Sequence, residues 1–424
     1  ILNMRFESLP EWLHWQETLH FTEVDPGLER IGQVWRALDG EAKLPFTVIT
    51  IAGTNGKGSS VAMLESILRS AGYSTGTYTS PHILRYNERI CIDGQPCSDD
   101  DICRAFNRID TARQQTSLTY FEFATLAAVQ LFRDRNIDIA ILEVGMGGRL
   151  DAVNLFDTDI ALITPISLDH TVWLGDNREK IGLEKAGIIR ADKPVVCSET
   201  SPPESVLLHA EELASPLYQA DKEFNVIYHG NTWQWSNSNN LWANLPIPAL
   251  EGHYQYQNAA AVLQVISLLL QQGYLVSEQQ IKTGLSTVKL AGRFQRISGD
   301  IEQILDVTHN EQGARNLAKL LEEVPTTGRT LAVVAMLKDK DAAKLASVLN
   351  SSIDVWFAAG LDGSRGMTSE QLSEQLYQHI DRNKIKQSDT VELAHKQAWD
   401  YADKGDRILI FGSFHTVEAI LRLN

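Results

Sequence analysis

The stretch VITIAGTNGKGSSVAMLESILRSA, residues 48–71, reads as a buried strand, a glycine-rich loop and a helix. Residues 46–52 form a short run of apolar or β-branched side chains, which is typical of a strand in a parallel sheet. After the loop, Val61, Leu64 and Leu68 recur at helical spacing, so one face of the helix is expected to pack against that sheet. The stretch therefore predicts an α/β fold built around this strand.

The loop at residues 53–59, GTNGKGS, has the composition of a phosphate-binding loop. Its three glycines allow the backbone to curl so that successive N–H groups point at one anion. The N-terminus of the following helix adds a partial positive charge. Lys57 supplies a full charge, and Ser59 or Ser60 supplies a hydroxyl for a bound metal.

The loop departs from the strict phosphate-loop spacing, which has Gly at position 51 and Ser or Thr directly after the lysine. Here the chain has Ile51 and Gly58 at those places. A glycine-rich turn with a surface lysine is therefore an alternative interpretation. The loop also does not fit the dinucleotide fingerprint, whose glycines occupy the first, third and sixth places.

Further segments of the chain carry a family pattern. They are TSPHILRYNERI (79–90), SLTYFEFATL (117–126), LEVGMGGRLDAVN (142–154), SLDHTVWLG (167–175), EKAGIIR (184–190), AGRFQ (291–295), DVTHN (306–310) and FGSFHTV (411–417). Together with GTNGKGS, they resemble the Mur ligase superfamily and, within it, the bifunctional dihydrofolate synthase/folylpolyglutamate synthases. In DVTHN, Thr308 replaces the small apolar residue of the commoner pattern D-x-A-H-N.

The resemblance implies two domains. Residues 1–290 would form an N-terminal Mur-ligase-type P-loop ATPase domain with a mostly parallel sheet, and residues 291–424 a smaller Rossmann-like α/β domain. Strand and helix patterns alternate from residue 304 onward, which also indicates a second parallel α/β domain. Residues 3–20 and 257–270 are predicted helices, and residues 224–235 a hairpin or small sheet.

A metal site is indicated by two residues at predicted strand ends. Glu143 interrupts an apolar strand, where a carboxylate is costly unless it is paired or binds a cation. His170 follows Asp169 at the end of another strand, although a lone histidine is more often structural. Magnesium prefers oxygen ligands. The resemblance adds Ser80 and implies that Ser80, Glu143 and His170 hold Mg²⁺.

The resemblance also implies the ATP site and the catalytic groups. The ATP contacts are Thr54, Asn55, Gly56, Lys57, Gly58, Ser59, Asn258, Arg293, Asp306 and His309, and the catalytic residues are Lys57, His170 and Lys185. The matching lysine of Mur-type ligases is carbamylated, and the same modification would turn Lys185 into an anion. From the residues alone, Lys185 is a solvated charge on a helix, and Asn258 caps the start of its helix.

A binding site for the pteroate ring system is implied by three segments. Its residues are Gly27, Leu28, Glu29, Arg30, Thr119, Tyr120, Phe121, Glu122, Leu150, Asp151 and Ala152. The aromatic rings would stack on a flat ligand, and Glu122 and Asp151 would accept hydrogen bonds from its polar edge. The alternative is that both aromatic residues are core and that both acids are solvated.

The composition of the chain limits the kinds of partner that the protein is expected to bind. The chain has 424 residues, of which 43% are hydrophobic and 22% charged, and its net charge is −16, which argues against bulk nucleic-acid binding. No apolar run is long enough to span a membrane. The four cysteines form no C-x-x-C pair, so we expect reduced thiols in a cytoplasmic, monomeric protein.

These observations predict an ATP-dependent amide ligase. The resemblance implies that it joins L-glutamate to dihydropteroate and adds further glutamates to reduced folates, with ATP and Mg²⁺. The alternatives are a folylpolyglutamate synthase without the first activity, or another Mur-type ligase. A P-loop NTPase or small-molecule kinase without ligation, and a non-catalytic nucleotide-binding module, are alternatives from other classes.

Overall fold

The computed structural model describes residues 4–22, 24–41 and 43–423. The chain divides into two compact units. The first consists of Ile1–His82, Tyr86–Ala249 and Tyr256–Val288, and the second of Ile83–Arg85, Leu250–Gln255 and Lys289–Asn424. The domain boundary after residue 290 stays a prediction.

A mostly parallel sheet forms the centre of the first unit. Within the described residues its eight strands are β1 (Thr47–Ala52), β2 (Thr75–Tyr78), β3 (Ile90–Ile92), β4 (Gln95–Pro96), β5 (Ile139–Glu143), β6 (Ile160–Ile163), β7 (Val195–Cys197) and β8 (Leu217–Gln219). Their order is β4-β3-β2-β5-β1-β6-β7-β8, in which β3 and β4 are antiparallel to their neighbours. Strand β1 pairs in parallel with β5 and β6, so the loops that follow these three strands emerge side by side.

Helices pack around this sheet. Those up to residue 287 are α1 (Leu9–Leu19), α2 (Glu29–Ala37), α3 (Lys57–Ser70), α4 (Asp99–Arg113), α5 (Tyr120–Arg135), α6 (Thr171–Leu174), α7 (Arg178–Ala186), α8 (Glu204–Glu212), α9 (Tyr254–Gln271) and α10 (Glu278–Thr287). Short 3-10 turns lie at Tyr86–Arg89 and Ala152–Leu155. None of the described helices is both long enough and apolar enough to cross a membrane.

Two helices begin at residues other than those predicted from the sequence. Helix α1 begins at Leu9, later than predicted, because Ser8 and Glu11 form a capping box at its N-terminus. The predicted start at residue 3 lies outside the described residues. Helix α9 begins at Tyr254, earlier than predicted, so Asn258 lies inside the helix and its interpretation as a cap is wrong.

The predicted hairpin is part of a small antiparallel sheet. Strands β9 (Phe224–His229), β10 (Thr232–Asn237) and β11 (Leu241–Pro246) pair in the order β11-β10-β9. The prediction ended at residue 235 and missed β11. Trp235 stacks on Trp242 with ring centroids 4.7 Å apart, which holds the third strand against the other two.

The second unit also contains a mostly parallel sheet. Within the described residues its strands are β12 (Gln295–Ile297), β13 (Glu302–Leu305), β14 (Thr330–Val334), β15 (Val355–Ala359), β16 (Ile385–Ser388) and β17 (Arg407–Phe411), in the order β12-β13-β17-β14-β15-β16. Only β12 is antiparallel to its neighbour. Its helices are α11 (Glu311–Glu323), α12 (Ala342–Leu349), α13 (Ser369–Leu376), α14 (Val391–Tyr401) and α15 (Phe414–Leu421), with 3-10 turns at Asn350–Ser352 and Arg382–Lys384. The pattern predicted from residue 304 onward did not include β12, β16 or α14.

Candidate active site

The glycine-rich loop leaves β1 at the middle of the sheet, and α3 begins at Lys57. Gly56 has a positive φ of 91°, and a Cβ atom there would lie 2.5 Å from Oδ1 of Asn258. This close approach requires glycine and brings Asn258 of α9 against the loop. The N–H groups of Thr54 and Asn55 donate to the carbonyl of Pro165, at 2.9 and 3.3 Å. The loop is therefore fixed by residues distant in sequence.

The Lys57 amine lies over its own loop. Its Nζ donates to the carbonyl oxygens of Gly53 and Thr54, at 3.1 and 3.3 Å. The side chain is half-buried rather than extended into solvent. This position favours the phosphate-loop interpretation over that of a turn with a surface lysine.

The Lys185 amine reaches the same main-chain oxygen as the Lys57 amine. It is buried on α7, and its Nζ donates to the Gly53 carbonyl at 2.8 Å. Burial, followed by the charge of Lys57, lowers the pKa of Lys185 to about 7, against the opposing charges of Asp169 and Asp151. The interpretation of Lys185 as a solvated charge is therefore wrong. Near neutral pH, a substantial fraction of this amine is neutral, which is the form that adds carbon dioxide.

Glu143 ends β5 and is buried. It pairs in register with Ile51 of β1, so it lies beside the start of the glycine-rich loop. Its Oε2 accepts a hydrogen bond from the Ser80 N–H at 3.2 Å. The structure thus brings Glu143 and Ser80 together, as the predicted metal site requires.

His170 lies on the other side of β1, in the loop after β6. It adopts a left-handed conformation with φ of 49°, and its N–H donates to Asp169 Oδ1 at 2.8 Å. In the described residues, no three His, Cys, Asp or Glu side chains cluster to hold a metal. The set Ser80, Glu143 and His170 has only two such side chains, which suits a magnesium ion that keeps waters and binds phosphates. The residues fit the ion, and their assignment as ligands stays a prediction.

Three of the predicted pteroate residues, Arg30, Thr119 and Glu122, belong to one polar network. Arg30 donates to Asp25 Oδ2 at 2.5 Å, to the Asp25 carbonyl at 2.8 Å and to Glu122 Oε1 at 3.1 Å. Glu122 is buried, and its Oε2 accepts from the Thr119 N–H at 2.7 Å in a capping box for α5. Burial raises the pKa of Glu122, against the Thr119 bond and the Arg30 charge. The alternative of a solvated Glu122 is wrong.

Asp151 is also buried, so the same alternative is wrong for it. Its carboxylate accepts hydrogen bonds from the N–H groups of Met146 and Val153, at 2.9 and 3.0 Å. Burial raises the pKa of Asp151 to about 6, although both main-chain bonds oppose the shift. Asp151 thus fixes the second glycine loop, at residues 145–148. Leu150 and Ala152 are the neighbours of Asp151 in the chain.

Tyr120 and Phe121 are half-buried, so neither is a fully buried core residue. Phe121 lies over the second glycine loop, because a Cβ atom at Gly145 would be 2.6 Å from its Cζ. The Arg89 guanidinium lies over the Tyr120 ring, 5.5 Å from its centroid. Within the GLER segment, Gly27 and Leu28 are half-buried, and Glu29 is exposed in the first turn of α2.

The second unit holds the other predicted ATP residues. Asp306 is buried, and its carboxylate accepts from the N–H groups of Phe294 and Thr308, both at 2.8 Å. Arg293 lies over the Phe414 ring, 5.3 Å from its centroid. His309 donates from Nδ1 to the Val307 carbonyl at 2.9 Å. These contacts order the ends of β12 and β13.

Several residues around the site were not predicted from the sequence. His20 joins Ser117 and Asp25, at 2.9 and 3.1 Å, behind Arg30. Glu199 follows the apolar strand β7 and is buried. The signal that identified Glu143, an acid at the end of an apolar strand, applies equally to Glu199. No short motif marks His20 or Asp25.

Two family models match the chain. The model described as Mur ligase middle domain matches residues 51–265, and the model described as Mur ligase, glutamate ligase domain matches residues 292–414. A curated Escherichia coli relative, dihydrofolate synthase/folylpolyglutamate synthase, is 42% identical over 98% of this chain and 95% of its own length. The chain belongs to the dihydrofolate synthase/folylpolyglutamate synthase family of Mur ligases. The predicted family and its ligase class are confirmed.

Further relatives agree. The Bacillus subtilis protein of the same name is 30% identical over 98% of both chains. Escherichia coli FolC, solved in complex with DHPP and ADP, has a TM-score of 0.92 and 41% identity over 98% of this chain and 97% of its own. A bifunctional folylpolyglutamate synthase/dihydrofolate synthase solved with Mn, AMPPNP and L-glutamate has a TM-score of 0.91 and 41% identity over 100% and 99%. The predicted fold class is confirmed, and these relatives bear out the prediction of a nucleotide and a divalent metal.

Proposed function

We propose that this protein is an ATP-dependent ligase that joins L-glutamate to 7,8-dihydropteroate, giving dihydrofolate, and adds further glutamates to tetrahydrofolate. The observation that carries the proposal is the shared carbonyl of Gly53. Both Lys57 of the phosphate loop and the buried Lys185 donate to this one oxygen. The shared acceptor of a loop lysine and a second, buried lysine supports the assignment of these two residues as the lysine pair of a Mur-type ligase.

The chemistry begins with a carboxylate, which is a poor acyl donor because its oxygen leaves badly. An oxygen of the substrate carboxylate attacks the γ-phosphorus of ATP, forming an acyl phosphate and releasing ADP. The neutral amine of glutamate then attacks the acyl carbon, phosphate leaves with the C–O bond electrons, and the nitrogen loses a proton. Lys57 and the loop N–H groups would hold the β- and γ-phosphates and stabilise the charge that develops on them.

Mg²⁺, when bound, supplies charge neutralisation at the phosphates. Ser80, Glu143 and His170 would hold it, since Glu143 ends β5 and accepts from the Ser80 N–H, and His170 follows β6 on the other side of β1. Carbamylated Lys185 would add a carboxylate at the same edge of the sheet. Asn258, which lies against Gly56, would contact the nucleotide. The ATP contacts of Arg293, Asp306 and His309 stay predictions.

Dihydropteroate has no glutamate tail, so its binding must depend on the ring system. Tyr120 and Phe121 offer partly exposed rings beside the Arg30–Glu122 pair and the loop that Asp151 fixes. These features support use of dihydropteroate as well as tetrahydrofolate.

The test is an assay of ADP release by the purified protein with dihydropteroate or tetrahydrofolate, each with and without glutamate. We expect release that depends on glutamate with both acceptors. Release with tetrahydrofolate alone would favour the monofunctional synthase. Release that does not depend on glutamate would favour an NTPase or kinase without ligation.

We propose that the protein works as a monomer in the cytoplasm and binds no nucleic acid. Its four cysteines are free thiols, as a reducing compartment maintains them. The net charge of −16 disfavours phosphate-backbone binding. Light scattering coupled to gel filtration would test the monomer, and a dimer mass would contradict it.

A further inference from the structure

The segment Pro165 to Ser167 connects the phosphate loop to the candidate metal residue His170. The Pro165 carbonyl accepts from the N–H groups of Thr54 and Asn55. The Thr54 hydroxyl donates to the Ser167 carbonyl and accepts from the Ser167 N–H, both at 3.0 Å. The position of the phosphate loop is therefore tied to the backbone of this segment.

The middle residue of the segment, Ile166, is held from the other side by an ion pair. Its N–H donates to Glu199 Oε1, and its carbonyl accepts from Arg178 Nε at 3.0 Å. Arg178 Nη2 also donates to Glu199 Oε2 and to the Ser201 carbonyl. Both main-chain polar groups of Ile166 are thus bound by one Arg–Glu pair.

The pair differs from the surface ion pairs of the same unit. The Glu199 side chain is only 10% exposed, although its partner Arg178 is 46% exposed, whereas the Arg108 and Asp134 side chains of a comparable pair are 45% and 47% exposed. Exposed pairs contribute little to stability, whereas a buried carboxylate such as Glu199 is left as an uncompensated charge when its partner is lost. Glu199 and Arg178 together make three hydrogen bonds to main-chain groups, two at Ile166 and one at Ser201. Because the guanidinium is planar, these bonds also restrict the geometry of the segment.

We propose that Arg178 and Glu199 are positioning residues for the nucleotide-and-metal side of the site. They hold Ile166, and through its neighbours they set the places of the Thr54–Asn55 loop and of His170. The pair thereby determines the affinity for metal-bound nucleotide, while dihydropteroate binding does not depend on it. The inference rests on the proposed function only in taking the loop as the nucleotide site.

The test compares Glu199→Gln and Arg178→Lys with the matched variants Asp134→Asn and Arg108→Lys. Mn²⁺ and AMPPNP binding is measured by titration calorimetry, KM is measured for dihydropteroate, and the thermal midpoint is recorded. We expect Glu199→Gln to weaken Mn²⁺–AMPPNP binding about tenfold, with a smaller loss for Arg178→Lys, because both variants leave the segment less well held. The matched variants should bind as the native protein does.

A lower thermal midpoint with native Mn²⁺–AMPPNP affinity would overturn the inference, because it would show a merely structural pair. Equal increases in KM for dihydropteroate and in the nucleotide dissociation constant would also overturn it. If Glu199→Gln does not fold, Arg178→Lys, which keeps the charge, decides the result on the same criteria. If the unmodified protein binds Mn²⁺–AMPPNP but releases no ADP in a glutamate-dependent way, the proposed function is refuted. The positioning role is then supported or refuted by the binding data alone.

Discussion

The phosphate side and the pteroate side of the candidate site are both in the first unit, but they are built differently. The phosphate side is mostly backbone: a loop of seven residues after β1, with Lys57 folded onto the carbonyls of Gly53 and Thr54. The pteroate side is mostly side chains, such as Arg30, Glu122 and Asp151, that come from separate segments of the chain. Substitutions on the phosphate side should therefore slow every reaction of the enzyme, whereas substitutions on the pteroate side should change which acceptor it prefers.

The largest expected effect is on the phosphate side. Lys57→Ala should reduce turnover with both acceptors by on the order of a thousandfold, because it removes a charge at the transferred phosphate. Steady-state ADP release checks this, with circular dichroism as the test of folding. Lys193→Ala, which breaks the exposed pair with Asp159, is the control and should retain activity. Near-native activity of Lys57→Ala would refute the phosphate-loop assignment.

Lys185→Ala should lower turnover by on the order of a hundredfold, because the charge of the carbamate is lost. Short carboxylic acids added to the variant should restore part of the activity. The lowered pKa of about 7 means that the amine is increasingly neutral as the pH rises through that value, so carbamylation should increase in the same direction. ¹³C NMR with labelled bicarbonate measures it. A free amine under active conditions would contradict the carbamate.

Glu143→Gln should raise the Mg²⁺ concentration needed for half-maximal activity about tenfold, because a neutral amide is a weaker ligand than a carboxylate. Saturating Mg²⁺ should recover much of the rate. A Mg²⁺ titration of both acceptor reactions measures the change. An unchanged titration would remove Glu143 from the metal site.

The smallest expected effect is selective. Asp151→Ala should lower kcat/KM for dihydropteroate several-fold more than for polyglutamylation, where the glutamate tail adds contacts to the acceptor. Asp157→Ala, which removes an exposed carboxylate paired with Arg190, is the matched control. Equal losses in the two reactions would mean that Asp151 acts only by fixing the glycine loop, which would remove the contrast between the two sides.

Much of the fold was predictable because its signals are local. The β1–loop–α3 unit was recognised from the apolar strand, the glycines and the helical spacing, and most strand–helix pairs of the second unit were recognised in the same way. Strand β16 was missed because its sequence IKQS has a single apolar residue, Ile385. Helix α14 was missed as well, and its buried face consists of Val391, Ala394 and Ala398. Glu143 was identifiable because a carboxylate in an apolar strand is costly without a partner.

The sequence by itself determined the family, the phosphate loop and the acid at the end of β5, because each is encoded by neighbouring residues whose spacing sets their local geometry. Only the tertiary structure decided that Lys185 is buried on the Gly53 carbonyl, 132 residues away in the chain. It likewise decided that Glu199 holds Ile166 and that Glu122 pairs with Arg30. The physical reason is that desolvation and hydrogen bonding depend on which distant groups surround a side chain, and this is established only when the strands and helices pack.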